Sequence, residues 1–456
     1  MSLTLTNAVL LHLDPPGASP GSIRIEGDSI HSVGDRVTPQ PGDEIIDCHG
    51  AVILPGLVNG HTHLYSALAV GMPPPPRAPA NFHEILELVW WRLDRAHDVE
   101  SVKVSGAIGA LDALRCGTTT LIDHHASPSC IPGSLDALEN GIDLVGLRAV
   151  LCYETTDRNG HAGASAGLEE NRRYLERCRG RSDGWFAALV GAHAAFTLSD
   201  DSLVACARLA AEFQTGVHIH VAEDPCDDRI CREKYGAPLV ERLTRSGILG
   251  EGDVAARSIL GHCTHLAEPD AARIASEVAA IAHNPRSNMN NQVGYAPIGS
   301  FLKASATSPA SSSLKPQASS LLLGTDGIGS DMLTEAGAAW FKSRDARAGL
   351  SPTDIVGMLA QSARTAGRLL DRTLGRLEPG AAADVVVTDY IPSTPLTAEN
   401  VAGHVLFALG PQHVHDVLID GAWALRNRKP VSIEASHILH RAPTVAAELW
   451  KRMQAI

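Results

Sequence analysis

The sequence has few aromatic residues, no excess of positive charge and no long apolar run. Aromatic residues make up only 4% of the 456 residues, so the core must be built mainly from Ala, Leu, Val and Ile. Acidic residues outnumber basic ones by 51 to 38, and the resulting net charge of −13 argues against a nucleic-acid partner. No stretch of about 18 uninterrupted apolar residues occurs, so we expect no transmembrane helix and no membrane partner.

Two features of the sequence indicate the cellular compartment, namely its cysteines and its first residues. The nine cysteines include no CxxC pair, which is typical of reduced thiols. The opening stretch MSLTLTNAVLLHLDPP lacks a basic n-region and a small-residue cleavage site. We therefore expect a cytoplasmic protein.

Two β-rich ends flank a long middle section. Residues 1–52 carry short runs of period 2 separated by Gly, Asp and Pro, and a similar pattern returns at about residues 380–428. We predict that these two ends pair into one small β-sandwich domain. The pattern of residues 429–456 predicts a C-terminal helical segment.

The middle section, residues 53–378, contains eight apolar runs, most of them followed by a helix-like stretch. Each run is apolar throughout, as strands buried on both faces are. Eight such units predict an α/β fold, a (β/α)8 barrel of the TIM type. Residues 304–320, rich in Ser and Ala, lie where the helix before the eighth strand should be. A solvated loop, a substituted helix and a local sequence anomaly remain open for them.

Histidine, with 21 residues, is the residue type that points to function. Six of the eight strand-like runs end in His or Asp, and a barrel gathers the carboxyl ends of its strands around one pocket. A single buried histidine is more often a hydrogen-bonded core residue than a ligand. Six at equivalent positions favour a functional site.

The first candidate metal ligands are His61 and His63, in PGLVNGHTH. Residues i and i+2 of a strand point to the same side, so both imidazoles can bind one metal. His220, in GVHIHVAED, and Asp326, in LLLGTDGIGSD, would add a third nitrogen and an oxygen. Three His and one Asp with an open position suit a catalytic Zn²⁺, and Fe²⁺ remains open.

Three further side chains are placed where they could act on a substrate or a water. Glu223 lies just beyond His220 in the loop, where a carboxylate can reach a substrate. His262, which ends the sixth strand, is positioned to orient or deprotonate a metal-bound water. His283 ends the seventh strand and either assists substrate binding or fixes the HNPRSN turn.

Several other polar side chains are candidates for the substrate-binding wall. They are Asp123, His124, His125, His193, Asn288, Asn290 and Asn291. Trp90 and Trp91 lie on a predicted helix after the first strand, where they either stack on a flat heterocycle or, as we prefer, pack against the barrel. None of these residues identifies the substrate.

The motifs PGLVNGHTH, GVHIHVAED, GHCTHL, HNPRSN and LGTDGIGSD together resemble the amidohydrolase superfamily. The resemblance is to its cytosine, guanine and S-adenosylhomocysteine deaminase branch, with the triazine hydrolases as relatives. The stretches WWRLDRA, IDHHASP, ETTDRNG, GAHAAFT and RSNMNNQVGY are more closely similar to the SsnA-type aminohydrolases. The likeness spans nearly the whole chain.

The resemblance implies one divalent metal and a defined set of ligands: His61, His63, His220 and Asp326. It also implies Glu223 as the proton carrier, with His262 and Asp326 acting on the water. Dinuclear members use a carboxylated lysine at the end of strand four, whereas here that strand ends in GAHAAF with no lysine nearby. Because relatives commonly dimerise, we expect a homodimer.

These expectations lead to one favoured function and two alternatives. The resemblance and Glu223 favour a hydrolytic deaminase that releases ammonia from a cyclic amidine, such as an amino-substituted purine, pterin, pyrimidine or triazine. Some triazine dechlorinases of this branch lack the glutamate, because chloride needs no proton to leave. A hydrolase of another bond in a heterocycle, by dechlorination or ring opening, remains open. So does a non-enzymatic accessory protein that uses the same barrel.

Overall fold

The computed structural model of the chain describes residues 2–250, 252–278, 280–307 and 320–456. The segment whose conformation the sequence leaves open, 304–320, therefore lies mostly outside the described residues. The described part divides into a sheet built from both chain ends and a central α/β region.

The described residues form 18 β-strands and 15 α-helices, numbered in chain order. The strands are β1 (Ser2–Leu13), β2 (Pro16–Glu26), β3 (Ser29–Gly34), β4 (Glu44–Asp47), β5 (Val52–Pro55), β6 (Leu57–Thr62), β7 (Thr118–Asp123), β8 (Arg148–Leu151), β9 (Phe186–Ala188), β10 (Val190–Ala194), β11 (Val217–Val221), β12 (Ile259–His262), β13 (Ala280–His283), β14 (Ser320–Leu323), β15 (Val385–Thr388), β16 (Val414–Ile419), β17 (Ala422–Arg426) and β18 (Lys429–Pro430). The helices are α1 (Phe82–Ile85), α2 (Trp91–Ala96), α3 (Val99–Arg115), α4 (Ser134–Asp143), α5 (His161–Cys178), α6 (Asp200–Glu212), α7 (Pro225–Tyr235), α8 (Leu239–Ser246), α9 (Glu268–Glu277), α10 (Pro285–Asn290), α11 (Ile298–Thr307), α12 (Met332–Asp345), α13 (Pro352–Leu370), α14 (Val401–Phe407) and α15 (Ile433–Gln454).

Nine parallel strands form the central ring. β6 to β9 pair in sequence order, and so do β10 to β14. Only Leu189 separates β9 from β10, and its amide donates to the carbonyl of Leu151, so the two are parts of one interrupted strand. The ring closes where the amides of Thr325 and Asp326 donate to the carbonyl of His61, at 2.9 and 3.0 Å. These pairings give the eight strands expected from the sequence and are consistent with a TIM-type barrel.

The composition of the ring strands explains their position. Every residue of β6, β7, β8 and β11 is buried, as is every residue of β12 and β13. Helices pack against the ring strands; α13, for example, contacts β6, β7, β8, β9 and β14. Strands covered on both faces are rich in apolar residues, although β6 and β7 also bury polar side chains, those of Asn59 and of the threonines at 118–120.

Both ends of the chain contribute to a single nine-stranded sheet. Its order is β18-β17-β16-β15-β5-β1-β2-β3, with β4 paired to β1. β5 pairs with β1 in parallel and with β15 antiparallel, so it connects the N-terminal strands to the C-terminal ones. An apolar cluster separate from the main core includes Leu5, Ile25, Ile53, Val385 and Leu418.

The C-terminal residues form the long helix α15, within the segment for which the sequence predicts a helix. The side chain of Ser432 accepts a hydrogen bond from the amide of Ala435 and caps the helix start. The helix packs against α2 and α3. Across the part of the chain that the structure describes, no helix is long and apolar enough to cross a membrane.

A buried ion pair connects the ring to the nine-stranded sheet. Arg148, at the start of β8, is fully buried and donates to the Asp384 carboxylate at 3.1 and 3.2 Å. It also donates to the carbonyl of Gly184 at 2.7 Å and contacts Asp420. Asp384 precedes β15, and Asp420 lies between β16 and β17. Removing one member of a buried pair leaves the other charge without compensation.

We predict that Arg148→Met lowers the free energy of unfolding by about 3–5 kcal/mol, because Asp384 stays buried without its partner. Urea denaturation followed by circular dichroism measures the change. The matched control is Arg426→Gln, which removes an exposed pair with Glu44 and should cost no more than about 1 kcal/mol. Equal losses in the two variants would show that burial does not determine the contribution of Arg148.

Candidate metal centre

The carboxyl ends of three ring strands bring four potential metal ligands together. His61 and His63 come from the end of β6, His220 from β11 and Asp326 from the turn after β14. Their ligand atoms all lie within 4.8 Å of one another. The three imidazoles are buried, and the Asp326 side chain is only 12% exposed. The four side chains that the sequence proposes as ligands therefore converge at one point.

Backbone carbonyls orient two of the imidazoles. Nδ1–H of His63 donates to the carbonyl of His124 at 2.6 Å, and Nδ1–H of His220 donates to the carbonyl of His193 at 2.9 Å. The Nε2 atoms of His63 and His220 then face each other at 3.1 Å. Metal-binding histidines commonly donate their second N–H in this way, because the bond fixes the tautomer and the ring orientation.

The donor set fits a divalent metal ion. Nε2 of His61 is buried and has no hydrogen-bond partner among the described residues, while its Nδ1 lies 2.8 Å from Nε2 of His218. The Oδ1 atom of Asp326 lies 3.3 Å from Nε2 of His61 and 2.8 Å from Nε2 of His63. Three imidazole nitrogens grouped around one carboxylate oxygen are a ligand set that Zn²⁺ or Fe²⁺ accepts.

Glu154 is a further candidate, not expected from the sequence motifs. It is buried beyond the end of β8, with Oε1 at 3.2 Å from Nδ1 of both His63 and His124 and Oε2 at 3.8 Å from Nε2 of His193. With His63, His124 and His220 it forms a second group able to hold a metal. The strand-like run GLRAVLCYE ends in this residue, so the position of strand ends could have identified it.

Glu223 and His262 lie beside the cluster. Nε2 of His262 is 3.5 Å from Oε2 of Glu223 and 3.9 Å from Oδ1 of Asp326. The amide oxygen of Asn288 accepts from Nδ1–H of His262 at 2.8 Å, which leaves Nε2 free to accept a proton or a hydrogen bond. The amide of Asn291 donates to Oε1 of Glu223 at 3.4 Å.

Burial and neighbouring charges give the two carboxyl groups opposite protonation preferences. Burial, together with the carboxylates of Asp326 and Asp227, raises the pKa of Glu223 well above its ordinary value. Burial acts in the same direction on Asp326, but His63 and His61 outweigh it and hold the pKa of Asp326 well below its ordinary value. An ionised carboxylate suits a ligand, and a protonated carboxyl suits a proton carrier.

Unusual backbone conformations mark the ends of the same strands. Ala222, His262 and Asp326 have φ of 48°, 66° and 54°, in the left-handed region that residues other than glycine rarely adopt. Next to Asp326, Gly324 passes so close to His61 that a Cβ would lie 2.9 Å from its backbone nitrogen. Such conformations concentrate where the surrounding structure holds functional side chains in place.

A cavity adjoins the cluster. The described residues that line it are His63, Tyr65, Phe82, Leu86, Trp90, Trp91, Asp94, Glu154, His193, Ala194, Phe196, His220, Glu223, Asp227, Asn291, Asp326 and Gly327. The wall thus combines the ligand cluster and Glu223 with several flat aromatic side chains. Trp90 and Trp91 are half-buried and both face the cavity, although they also pack on the core.

The structure brings only some of the predicted substrate-binding residues to this wall. His193 and Asn291 line the cavity, whereas His125, His283 and Asn288 are not among its described lining residues. Nε2 of His125 instead lies 2.9 Å from the hydroxyl of Ser127. Asn288 contacts His262 and so reaches the cluster only through that ring.

A larger cavity, of about 580 Å³, lies at the opposite end of the ring, near the starts of β9 and β12. Arg179 and Arg368 line it and lie at the C-terminal ends of α5 and α13. Basic side chains at helix C-termini offset the partial negative charge of the last carbonyls. These arginines therefore have a structural explanation, and the cavity beside the cluster is the candidate active site.

A parallel barrel with three imidazoles and a carboxylate at its strand ends defines the class of metal-dependent barrel enzymes. The chain belongs to the amidohydrolase family, whose sequence profile matches residues 52–424. It is 27% identical to a 5'-deoxyadenosine deaminase of Methanothermobacter thermautotrophicus over 96% of both chains. It is 28% identical to a 5-methylthioadenosine/S-adenosylhomocysteine deaminase of Desulforudis audaxviator over 89% of both chains.

Two solved structures share the fold. An adenosine deaminase from Xanthomonas campestris with bound zinc superimposes with a TM-score of 0.82 at 22% identity, covering 100% of this chain and 99% of that one. The atrazine chlorohydrolase of Arthrobacter aurescens, complexed with zinc, gives a TM-score of 0.78 at 20% identity, covering 97% and 100%. At these identities the likeness shows the fold alone, and it confirms the amidohydrolase fold expected from the sequence motifs.

We predict that His220→Ala lowers the metal retained after dialysis at least about 10-fold, because the cluster loses one of its three nitrogens. Elemental analysis of purified protein measures the metal per chain. The matched control is His283→Ala, a buried histidine at the end of β13, two strands from β11, that lies outside the groups of described residues able to hold a metal. Full metal retention in His220→Ala would show that the ion binds elsewhere.

Proposed function

We propose that the protein is a metal-dependent hydrolytic deaminase that releases ammonia from a cyclic amidine. The substrate class is an amino-substituted purine, pterin, pyrimidine or triazine. The observation that carries this proposal is Glu223, a buried carboxyl of raised pKa whose ligand atom lies within 4.8 Å of those of His262 and Asp326. An amine must be protonated before it can leave, and a carboxyl at this place can supply the proton. The deaminases among the relatives support a purine-type substrate.

We further propose that the protein binds one divalent metal, Zn²⁺ rather than Fe²⁺, at the cluster of His61, His63, His220 and Asp326. The bound metal would supply a water whose pKa is lowered toward about 7, as the nucleophile. The three groups of residues able to hold a metal overlap, two of them through His63 and His220 and the third through Asp326, which supports one ion rather than several separate ones. The zinc bound by the solved structural relatives supports the choice of metal.

In the proposed reaction Glu223 carries protons between the attacking water, the substrate ring nitrogen and the leaving amine. Nε2 of His262 and the carboxylate of Asp326 accept hydrogen bonds from the water and hold it in line with the ring carbon. We retain four side chains as candidates for substrate contact: His193, His125, His283 and Asn288. Of these four, only His193 is among the described residues that line the cavity, and this position supports it as a substrate contact.

Domain organisation and cellular setting complete the proposal. We propose a small β-sandwich domain from residues 1–52 plus 380–428, a barrel domain from 53–378 and a C-terminal helical segment from 429–456. The shared sheet and its separate apolar cluster support the first of these. A cytoplasmic homodimer that binds neither nucleic acid nor membrane is the setting that we propose from composition and family resemblance.

Ammonia release tests the function. The metal-loaded protein is incubated with a panel of amino-substituted purines, pterins, pyrimidines and triazines, and ammonia is measured together with the metal content. We expect catalytic ammonia release from at least one member of the panel. Chloride release or ring opening without ammonia would favour a hydrolase of another bond. No turnover with full metal occupancy would favour the accessory protein.

We predict that Glu223→Gln keeps the metal but lowers turnover of an amino-substituted heterocycle by about 10²-fold or more, because an amide cannot carry the proton. A chloro-substituted analogue should lose much less activity, since its leaving group needs no proton. Steady-state kinetics on both compounds, with metal content measured in parallel, give the two ratios. Equal losses at normal metal content would mean that Glu223 also generates the nucleophile, contrary to the division of roles proposed.

A further inference from the structure

A second group of buried polar atoms without partners lies beside the reaction cavity. Asp94 is 1% exposed, and its Oδ1 atom has no hydrogen-bond partner among the described residues. The same holds for Nε and Nη1 of Arg158 and for the indole Nε1 of Trp91. One hydrogen bond, from Nη2 of Arg158 to Oδ2 of Asp94, connects the two charged side chains. Buried polar atoms nearly always have partners, so four orphans in one place require an explanation.

These side chains, which we call the polar wall (Trp91, Asp94 and Arg158), border the cavity that holds the ligand cluster. Trp91 and Asp94 line that cavity, and Trp91 and Arg158 line an adjoining one of about 420 Å³. A π-helical turn, Leu86–Trp90, directly precedes Trp91. Such turns are rare and occur frequently at functional sites, where they redirect the side chains that follow.

The donors and acceptors of the polar wall determine which ligand groups could hydrogen-bond to it. Burial raises the pKa of Asp94 to about 6 although Arg158 opposes the shift, so at neutral pH the carboxylate only accepts hydrogen bonds. Arg158 and Trp91 only donate. The guanidinium carbon of Arg158 lies 5.0 Å from the ring centroid of Trp91, so the two donors are close together. A complementary ligand must therefore present a donor beside an acceptor.

The charge of the polar wall argues for a neutral ligand group. The carboxylate of Asp94 already compensates the guanidinium of Arg158. An anionic substituent at the polar wall would lie against a buried carboxylate, and the further basic side chains nearby, Arg229 and Lys234, line only the adjoining cavity. A planar edge with a ring N–H next to a carbonyl or an unprotonated ring nitrogen carries the required donor and acceptor without net charge.

We propose that Trp91, Asp94 and Arg158 are specificity-determining residues that bind the edge of the heterocycle remote from the leaving amine, and that this edge carries a ring N–H beside an acceptor. The inference rests on the proposed deaminase function, which it deepens by naming the feature that the substrate must have. In this arrangement Asp94 accepts from the ring N–H, and Trp91 or Arg158 donates to the neighbouring acceptor.

Paired substrates test the inference. Adenine, guanine and cytosine can each present a ring N–H beside an acceptor on the edge remote from the amino group, and they are compared with 9-methyladenine, 7-methylguanine and 1-methylcytosine. We expect kcat/KM of the metal-loaded wild type to be at least about 10-fold lower for the methylated member of a pair that is turned over, since a site built to bind an N–H rejects analogues that lack it. In Asp94→Asn, with unchanged metal content, the ratio should fall below about 3-fold, because a neutral amide oxygen accepts from the ring N–H more weakly than a carboxylate does.

The matched control is Glu87→Gln, an exposed acidic residue one turn before Trp91, which should keep the wild-type ratio. A wild-type ratio retained in Asp94→Asn would overturn the inference. Should Asp94→Asn fail to fold, Trp91→Phe removes the indole N–H together with part of the ring and leaves the ion pair between Asp94 and Arg158 in place. It should raise KM about 3–10-fold with kcat nearly constant, as expected for the loss of one uniform binding contact. An unchanged KM would also overturn the inference.

The failure of the proposed function would be distinguishable from the failure of this inference. If no compound is turned over, the deaminase proposal is wrong. Equilibrium dialysis of the same pairs then tests whether the polar wall binds the unmethylated compounds. Preferential binding of the unmethylated compounds by the wild type, lost in Asp94→Asn, would support the polar wall as their binding site. Equal binding of both members of each pair, or no binding at all, would contradict it.

Discussion

The closure of the ring between its last and first strands is the interaction on which the rest of the site depends. Two amides, of Thr325 and Asp326, donate to the carbonyl of His61 and so connect the eighth strand to the first. This contact places the carboxylate of Asp326 against the imidazoles of His61 and His63. Since all strands of the ring are parallel, His220 from β11 ends at the same edge. The cluster is thus a consequence of strand direction and closure, and no local sequence motif contains it.

The same constraint explains why so many polar groups can be buried at one end of the barrel. A buried imidazole or carboxylate without a partner destabilises the fold, so each needs a hydrogen bond or a ligand. Backbone carbonyls satisfy one nitrogen each of His63 and His220, and Asn288 satisfies one of His262. Orphans occur at several positions among the described residues, and two places concern the reaction: Nε2 of His61 and His262, and the polar wall. A metal, its water and a substrate edge are the partners that these two places lack.

The sequence was sufficient for the ring strands and for the convergence of the four proposed ligands, because both follow from repeating patterns. Apolar runs define buried strands, and the HxH spacing places two imidazoles on one side of β6. The end of a strand determines the position of the backbone, but it does not determine the direction of the side chain. His283 ends β13 as expected, yet it is not among the described residues that line the cavity.

Contacts between distant, irregular segments had no counterpart in any local pattern. Asp94 lies on the short helix α2, whereas Arg158 lies in a 3-10 turn at Asp157–Asn159, so no periodicity relates the two. The strand-end pattern could identify Glu154 itself, but not its contacts with His63 and His124, which come from other strand ends. The pairing of β5 with β15, which connects the two ends of the chain, requires a register that composition alone does not determine.

X-ray absorption spectroscopy at the metal edge tests most directly whether strand ends of the barrel hold a single catalytic ion. For a zinc-loaded protein the account predicts one shell of nitrogen and oxygen ligands at about 2.0–2.2 Å, with the scattering of about three imidazole rings. It predicts no heavy neighbour at the distance of about 3.5–4 Å that separates the ions of a two-metal site. A sulfur shell at about 2.3 Å, from any of the nine free cysteines, or a second metal at that longer distance would contradict the account.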